Sequence, residues 1–288
     1  MSLKALLLSN STQPGGKYLQ LWSSTIQSFT QGFSNKTVLF IPFAGISLDW
    51  DVYTSMVSSA LPFLDVKGIH KMDDMTSAVN SADIIMIGGG NTFNLLFNLQ
   101  KNNLLDLIRS RVKAGTPYIG WSAGSNVATP DIGTTNDMPV IWPQTDEALG
   151  LVPFNINPHY NNWKPPGEAG ESRDDRLNEG ILVKKRDIVA LSNGMAVLAE
   201  GSTYSLVKSP SSLRPSDSVL QVKVWKPCPE EEKKYKVVDV DLGSDENPVP
   251  LNPFLGWEPD ITEPISRMST WLSWNWLKER FYSKYNTK

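Results

Sequence analysis

Short apolar runs that end near glycine, proline or serine recur through the first two-thirds of the chain. Runs of this length between such breakers are typical of buried β-strands. Helix-length segments separate several of them. In the clearest segment, residues 91–114, leucines recur at three- and four-residue steps before Gly115, which suits a helix C-terminus. The predicted strands are residues 4–9, 37–44, 66–69, 83–90, 117–120 and 151–156.

This alternation predicts an α/β fold with a mostly parallel, doubly wound sheet that is covered on both faces. Sheets of this kind carry their functional sites at the carboxyl ends of the strands. We therefore expect loops 9–16, 88–92 and 120–126 to lie along one edge of the sheet.

The pattern changes after about residue 181. Short strands there are separated by turn residues such as Ser192-Asn193-Gly194, and they predict an antiparallel extension of the sheet. These strands are residues 188–191, 196–199, 204–207 and 219–225. We place the main domain at residues 1–227 and a C-terminal extension at residues 228–288.

The extension has a mixed composition. It contains a charged run (229–236), a proline-rich stretch (247–264) and a tryptophan-rich segment that favours a helix (265–285). We expect it to pack on or near the main domain. Covering a site, self-association or contact with a membrane through the tryptophans are the alternatives.

Composition narrows the classes of function. The chain has 288 residues, 40% of them hydrophobic, and a formal net charge of −3 without a strongly basic block, which argues against nucleic-acid binding. One cysteine and two histidines exclude a disulfide framework and a Cys/His metal cluster. The first apolar run, residues 5–8, is too short for a signal peptide, and no run is long enough to span a membrane. We expect a soluble, cytoplasmic protein without cofactors, monomeric or weakly self-associating.

The segment GWSAGSN, residues 120–126, places Ser122 between two glycines directly after a predicted strand. Such a stretch is either a tight turn or a nucleophile elbow, which presents a serine hydroxyl to a substrate. An elbow requires a base to remove the hydroxyl proton. His159 lies just past a predicted strand, whereas His70 is more typical of a surface or strand-end histidine.

A third group has to orient the histidine, and Asp137 is a candidate within TTNDMP, residues 134–139. The order serine, aspartate, histidine matches that of α/β-hydrolases. However, the 37 residues between Ser122 and His159 leave too little room for the elements that normally intervene in that fold, which disfavours an ordinary lipase or esterase.

The segment GGGNT, residues 88–92, follows another predicted strand. It lacks the lysine ending of a P-loop and the spacing of a dinucleotide site. Glycines let a ligand approach bare backbone amides. An oxyanion hole therefore fits better, with one amide from this loop and one from Ala123.

Six segments in the same order and at similar spacing resemble the aspartyl dipeptidase (peptidase E) family of serine peptidases. The resemblance covers roughly residues 3–225. It implies a cytosolic, metal-independent enzyme on a sheet like that of class I glutamine amidotransferases, which cleaves dipeptides with N-terminal aspartate. The segments are SNST (9–12), FIPFAG (40–45), GGGNTFNLL (88–96), YIGWSAGSN (118–126), TTNDMP (134–139) and INPHY (156–160).

The resemblance also implies roles for individual residues. Ser122 is then the nucleophile and His159 the base, and Gly90 and Ala123 donate the oxyanion-hole amides. Arg173 falls on the position that recognises the aspartate side chain, with Arg176 as the fallback. Asn91 and Thr92 are expected to help line the pocket.

One position departs from the family. A glutamate in a later Pro-Glu-Gly turn serves there as a candidate third triad member, and this chain has Asn193 instead. Either Asp137 is the acid, which we favour, or Asn193 orients the ring without charge. The rival functions are hydrolysis of β-aspartyl or cyanophycin-like peptides and a non-catalytic binding protein; the expected ligand in each case is a small peptide.

Overall fold

A computed structural model describes residues 2–32, 37–164, 166–167, 169–244 and 247–256. The strands are β1 Lys4–Leu8, β2 Thr37–Ile41, β3 Asp65–Gly68, β4 Ile84–Ile87, β5 Tyr118–Trp121, β6 Asn155–Asn157, β7 Ile188–Leu191, β8 Met195–Glu200, β9 Thr203–Lys208, β10 Val222–Pro227, β11 Tyr235–Asp239 and β12 Val249–Pro250. The helices are α1 Ser23–Phe29, α2 Trp50–Ala60, α3 Met75–Ser81, α4 Thr92–Lys101, α5 Leu105–Lys113, α6 Ala123–Val127 and α7 Arg173–Lys184.

The main sheet has the strand order β12-β9-β8-β1-β5-β4-β2-β3. Neighbouring strands from β1 to β3 in this order pair in parallel, whereas β8, β9 and β12 add an antiparallel edge. This arrangement confirms the predicted α/β fold with its antiparallel extension.

Both faces of the main sheet are covered. Successive residues of β1 point to opposite faces, and Leu7 and Leu8 are each fully buried in a different hydrophobic cluster. A strand buried on both faces reads as a continuous apolar run, which explains why the pattern of hydrophobic residues located these strands.

A second sheet, in the order β11-β10-β7-β6, corrects the expectation of one continuous sheet. The predicted strands at 151–156, 188–191 and 219–225 contribute to it rather than to the main sheet. Strand β6 pairs in parallel with β7, and α7 forms the crossover between them. The periodicity of each strand is local, so it carried no information on which sheet the strand joins.

The predicted helix over residues 91–114 is two helices, α4 and α5. The backbone of Asn103 is left-handed, with φ of 55°, and the amide of Leu104 donates to Leu99 O at 2.9 Å. Asparagine tolerates this conformation better than most residues, so the chain turns here without a glycine.

Part of the expected C-terminal extension pairs with the sheets. Strand β11 pairs with β10, and β12 pairs with β9. The division at residue 227 stays a prediction. The expected helix at 265–285 lies outside the described residues.

Candidate active site

Ser122 forms a sharp turn between β5 and α6. Its φ and ψ are 52° and −112°, and its amide donates to Leu8 O at 3.0 Å. The two flanking glycines are required by space: a Cβ on Gly120 would lie 2.5 Å from Gly124 O, and a Cβ on Gly124 would lie 2.1 Å from Ile87 O. A non-glycine residue held at positive φ is the backbone of a nucleophile elbow.

His159 follows β6 and reaches Ser122 from the second sheet. Its Nε2 lies 2.8 Å from Ser122 Oγ. The left-handed backbone of His159, with φ of 54°, is held by its amide, which donates to Ser9 Oγ at 2.8 Å. The distance and the fixed backbone place the imidazole where it can accept the serine proton.

Asn193 lies on the other side of the same imidazole. Its Oδ1 is 2.8 Å from His159 Nδ1. The turn that carries it is held by the amide of Gly194, which donates to Asn10 Oδ1 at 2.8 Å. An amide oxygen accepts from Nδ1–H, which leaves the lone pair of Nε2 directed at the serine.

Asp137, which the sequence interpretation ranked above Asn193, does not occupy this place. Its Oδ2 accepts from the amide of Thr92 at 2.8 Å, from Thr92 Oγ1 at 2.6 Å and from Thr135 Oγ1 at 3.1 Å. A carboxylate at the first amide of α4 satisfies an unpaired helix donor and interacts favourably with the helix dipole. The geometry therefore reverses the expected ranking, because Asp137 bonds the helix rather than the ring.

Burial lowers the pKa of His159 below its ordinary value. The hydrogen bond that the ring donates to Asn193 and the charge of Asp137 act in the opposite direction, and the charge of Arg173 lowers the pKa further. Burial dominates because a desolvated imidazolium loses its hydration. A lowered pKa favours the neutral ring, which is the form that a base requires.

The glycine-rich loop between β4 and α4 lies directly against the serine. A Cβ on Gly89 would come within 3.0 Å of Ser122 Cβ. Gly90 has φ of 136°, and a Cβ there would lie 2.4 Å from Ala44 O, so only glycine fits. Among the described residues, the amides of Gly90 and Ala123 have no hydrogen-bond acceptor. Both amides are thus available as donors, one directly after Ser122 and one in the loop that packs against it.

Arg173 begins α7 as a half-buried cation. Its Nη1 donates weakly to Asn157 Oδ1 at 3.4 Å, and it has no carboxylate partner within the described residues. The following acid, Asp174, accepts instead from Tyr160 at 2.5 Å and from Lys223 at 3.1 Å. Burial, then the charge of Arg176, lowers the pKa of Arg173. A partly desolvated guanidinium without a carboxylate partner can bind the carboxylate of a ligand.

The remaining candidates lie less directly in the site. Asn91 caps α4 through Oδ1 and donates its Nδ2 to Met138 O at 2.8 Å, and Thr92 is fully buried with its hydroxyl on Asp137. These contacts connect the start of α4 to residues 137 and 138. Arg176 is exposed, and its Nε lies 3.8 Å from Oε2 of Glu171.

Two supporting residues were not assigned a role from the sequence. Ser9 accepts the His159 amide and donates to Leu191 O at 2.9 Å, and Asn10 holds the Asn193 turn. The available signal was the position of SNST at the carboxyl end of β1, on the same edge as the other loops.

Two further features of the described residues bear on the type of site. No group of three or more histidine, cysteine, aspartate or glutamate side chains there could hold a metal ion. No described helix is both long and apolar enough to cross a membrane.

The chain is similar to peptidases of known family. It matches the model of peptidase family S51 over residues 5–207. Peptidase E of Shewanella sp. (strain ANA-3) is 45% identical over 210 residues, 72% of this chain and 88% of that protein. Peptidase E of Shewanella denitrificans is 43% identical over the same shares.

Solved structures share the fold. A protein assigned as a candidate peptidase E from Listeria monocytogenes EGD-e has a TM-score of 0.56 and 26% identity, with 73% of this chain and 100% of that chain covered. A peptidase from an acI-B1 Actinobacterium has a TM-score of 0.58 at 17% identity and covers 83% of this chain and 98% of that one. The second similarity shows the fold alone.

Proposed function

This chain belongs to peptidase family S51, and we propose that it is a serine dipeptidase that hydrolyses dipeptides with an N-terminal aspartate. The observation that carries the proposal is the hydrogen-bonded series Ser122, His159 and Asn193, with both distances at 2.8 Å, near an arginine without a carboxylate partner among the described residues. The series supplies hydrolytic chemistry and the arginine supplies the preference for aspartate.

The reaction proceeds through an acyl-enzyme. His159 Nε2 takes the proton of Ser122 while Oγ attacks the substrate carbonyl, and the amides of Gly90 and Ala123 bind the resulting oxyanion. His159 then gives the proton to the leaving amine, so the peptide bond breaks and the second residue departs. Water, deprotonated by the same ring, hydrolyses the ester and restores the serine.

Asn193 is the group that orients the ring in this mechanism. Its Oδ1 accepts from Nδ1–H and so selects the tautomer in which Nε2 is the base. It contributes no negative charge. Asp137 contributes negative charge from a distance: its charge raises the pKa of His159, although its carboxylate makes no hydrogen bond with the ring.

Arg173 binds the side-chain carboxylate of the substrate's N-terminal aspartate. A guanidinium grips a carboxylate through two parallel hydrogen bonds, and partial burial strengthens the attraction. The neighbouring anion, Asp174, accepts hydrogen bonds from Tyr160 and Lys223, so it does not compete with the substrate carboxylate for Arg173. Small peptides with an N-terminal aspartate are the proposed substrate class. The one cysteine of the chain, Cys228, is free, which supports a cytoplasmic location.

The test is release of free leucine from five peptides by the wild type and by Ser122→Ala. The peptides are Asp-Leu, Glu-Leu, Asn-Leu, β-Asp-Leu and Asp-Leu-Leu. We expect the wild type alone to act, on Asp-Leu above all. Preference for β-Asp-Leu would assign the chain to hydrolysis of β-aspartyl peptides instead. Equal activity of Ser122→Ala would contradict the nucleophile, and binding without turnover would indicate a non-catalytic protein.

A further inference from the structure

A buried hydroxyl contacts the backbone of the glycine-rich loop. Tyr53, on α2, is only 3% exposed, and its hydroxyl donates to Gly89 O at 2.9 Å. The same oxygen accepts from Tyr18 Oη at 3.0 Å and from Trp121 Nε1 at 3.2 Å. An indole nitrogen can only donate and a carbonyl can only accept, so the proton of Tyr53 is committed to Gly89.

The loop makes room for this contact. A Cβ on Gly88 would lie 2.5 Å from the Tyr53 hydroxyl oxygen, so the glycine there is required by the tyrosine. The ring packs edge-on against Phe40 at 5.0 Å, which fixes its position. Burial raises the pKa of Tyr53, so the hydroxyl stays protonated and remains a donor.

The plane of the peptide between Gly89 and Gly90 can take two opposite orientations, with either its N–H or its C=O directed towards Ser122. Glycines on both sides offer little steric resistance to rotation of the peptide plane. The peptide is trans, so its N–H points opposite to its C=O. A carbonyl turned towards Ser122 would place negative charge where an oxyanion has to form.

We propose that Tyr53 is a positioning residue that holds the Gly89–Gly90 peptide with its N–H towards the oxyanion. Tyr53 draws Gly89 O towards the buried cluster, and the amide of Asn91 is separately fixed on Ala44 O at 2.9 Å. The Gly90 amide lies between these two hydrogen bonds and remains available to donate to the oxyanion. This inference rests on the proposed function, because it assigns that amide to the oxyanion hole.

Tyr53→Phe tests the inference, because it removes the hydroxyl and keeps the ring. Tyr18→Phe is the matched control: it removes a hydroxyl from the same cluster and leaves the bond between Tyr53 and Gly89. We expect Tyr53→Phe to lower kcat for Asp-Leu by about 10- to 100-fold, less than the loss of an oxyanion donor outright. We expect KM of Tyr53→Phe to stay near the wild-type value. We expect kcat of Tyr18→Phe to stay within about threefold of the wild-type value. Equal kcat in all three proteins, or equal losses in both variants, would overturn the inference.

A second readout does not depend on the dipeptide. A small alkyl fluorophosphonate reacts with Ser122 Oγ: the O–P bond forms, fluoride leaves, and the serine proton passes to His159. Its phosphoryl oxygen takes the place of the oxyanion. We expect slower labelling of Tyr53→Phe at a melting temperature matching that of Tyr18→Phe. If wild type labels but does not cleave Asp-Leu, the proposed substrate fails while the labelling rates still decide on Tyr53.

Discussion

Each of the two histidines of this chain, His70 and His159, has a side-chain oxygen as partner on one ring nitrogen, but only His159 has a serine hydroxyl at the other. His70 Nε2 lies 2.7 Å from a carboxylate oxygen of Asp51, whereas His159 has only an amide oxygen, that of Asn193, as its orienting partner. By its partner alone, His70 is closer to the arrangement of a Ser-His-Asp triad. The difference lies on the other ring nitrogen.

His159 turns that second nitrogen to a serine hydroxyl, and His70 has no such group. Among the described residues, Nδ1 of His70 is buried without a partner, against the backbone of Gly68. Lys71 also contacts Asp51, and Lys71 first, then His70, lowers the pKa of that carboxyl. Asp51 therefore forms an ion pair with Lys71 and a hydrogen bond with His70 at the first turn of α2. A carboxylate next to a histidine does not by itself make a catalytic site.

Replacing each histidine by glutamine is the largest test of this comparison. His159→Gln removes the base, and we expect kcat for Asp-Leu to fall by about 10⁴-fold or more. His70→Gln is expected to keep kcat within about threefold, because it faces no reacting atom. Steady-state hydrolysis of Asp-Leu by both variants measures the difference, and similar losses in both would remove the distinction between the two regions.

Arg173 and Arg176 repeat the comparison on one helix. Arg173→Met removes the half-buried cation, and we expect kcat/KM for Asp-Leu to fall about 30- to 100-fold, the equivalent of a charge-assisted contact. Arg176→Met removes an exposed cation one helical turn further on and should change little. Activity on Asn-Leu and the melting temperature should be similar in both variants. A large loss of melting temperature in Arg173→Met alone would indicate a structural role instead.

The orienting partner of His159 determines the pH dependence. The ring must be neutral to accept a proton, so kcat/KM is lost as pH falls through its pKa. Burial holds that pKa low, and Asn193 adds no charge. Asn193→Asp supplies an anion that favours the imidazolium, so we expect the acid limb to move up by about one unit or more. A pH profile of kcat/KM measures the shift, and an unmoved limb would mean that residue 193 does not contact the ring.

The sequence predicted the parts of this site that are encoded locally. Apolar runs located the strands, and the glycines around Ser122 and Gly90 marked loops that need bare backbone. The partner of His159 is different in kind. Asn193 is 34 residues away and Ser9 is 150 residues away along the chain, and both contacts depend on how the second sheet sits beside the first. The general preference for a charged third triad member over an amide carries no information on that geometry, and it favours Asp137.

Asp137→Asn has the smallest expected effect of these changes, and it discriminates most sharply between Asp137 and Asn193 as the partner of His159. The carboxylate accepts from the first amide of α4, so its neutralisation should lower the free energy of unfolding by about 1 kcal/mol, measured by urea denaturation. Its charge raises the pKa of His159, so the acid limb should move down, opposite to the shift in Asn193→Asp. On the plateau, kcat should stay near wild type. An acid in direct contact with the ring would instead cost about 10⁴-fold, so a loss of that size would restore Asp137 as the triad member and reduce Asn193 to a neighbour.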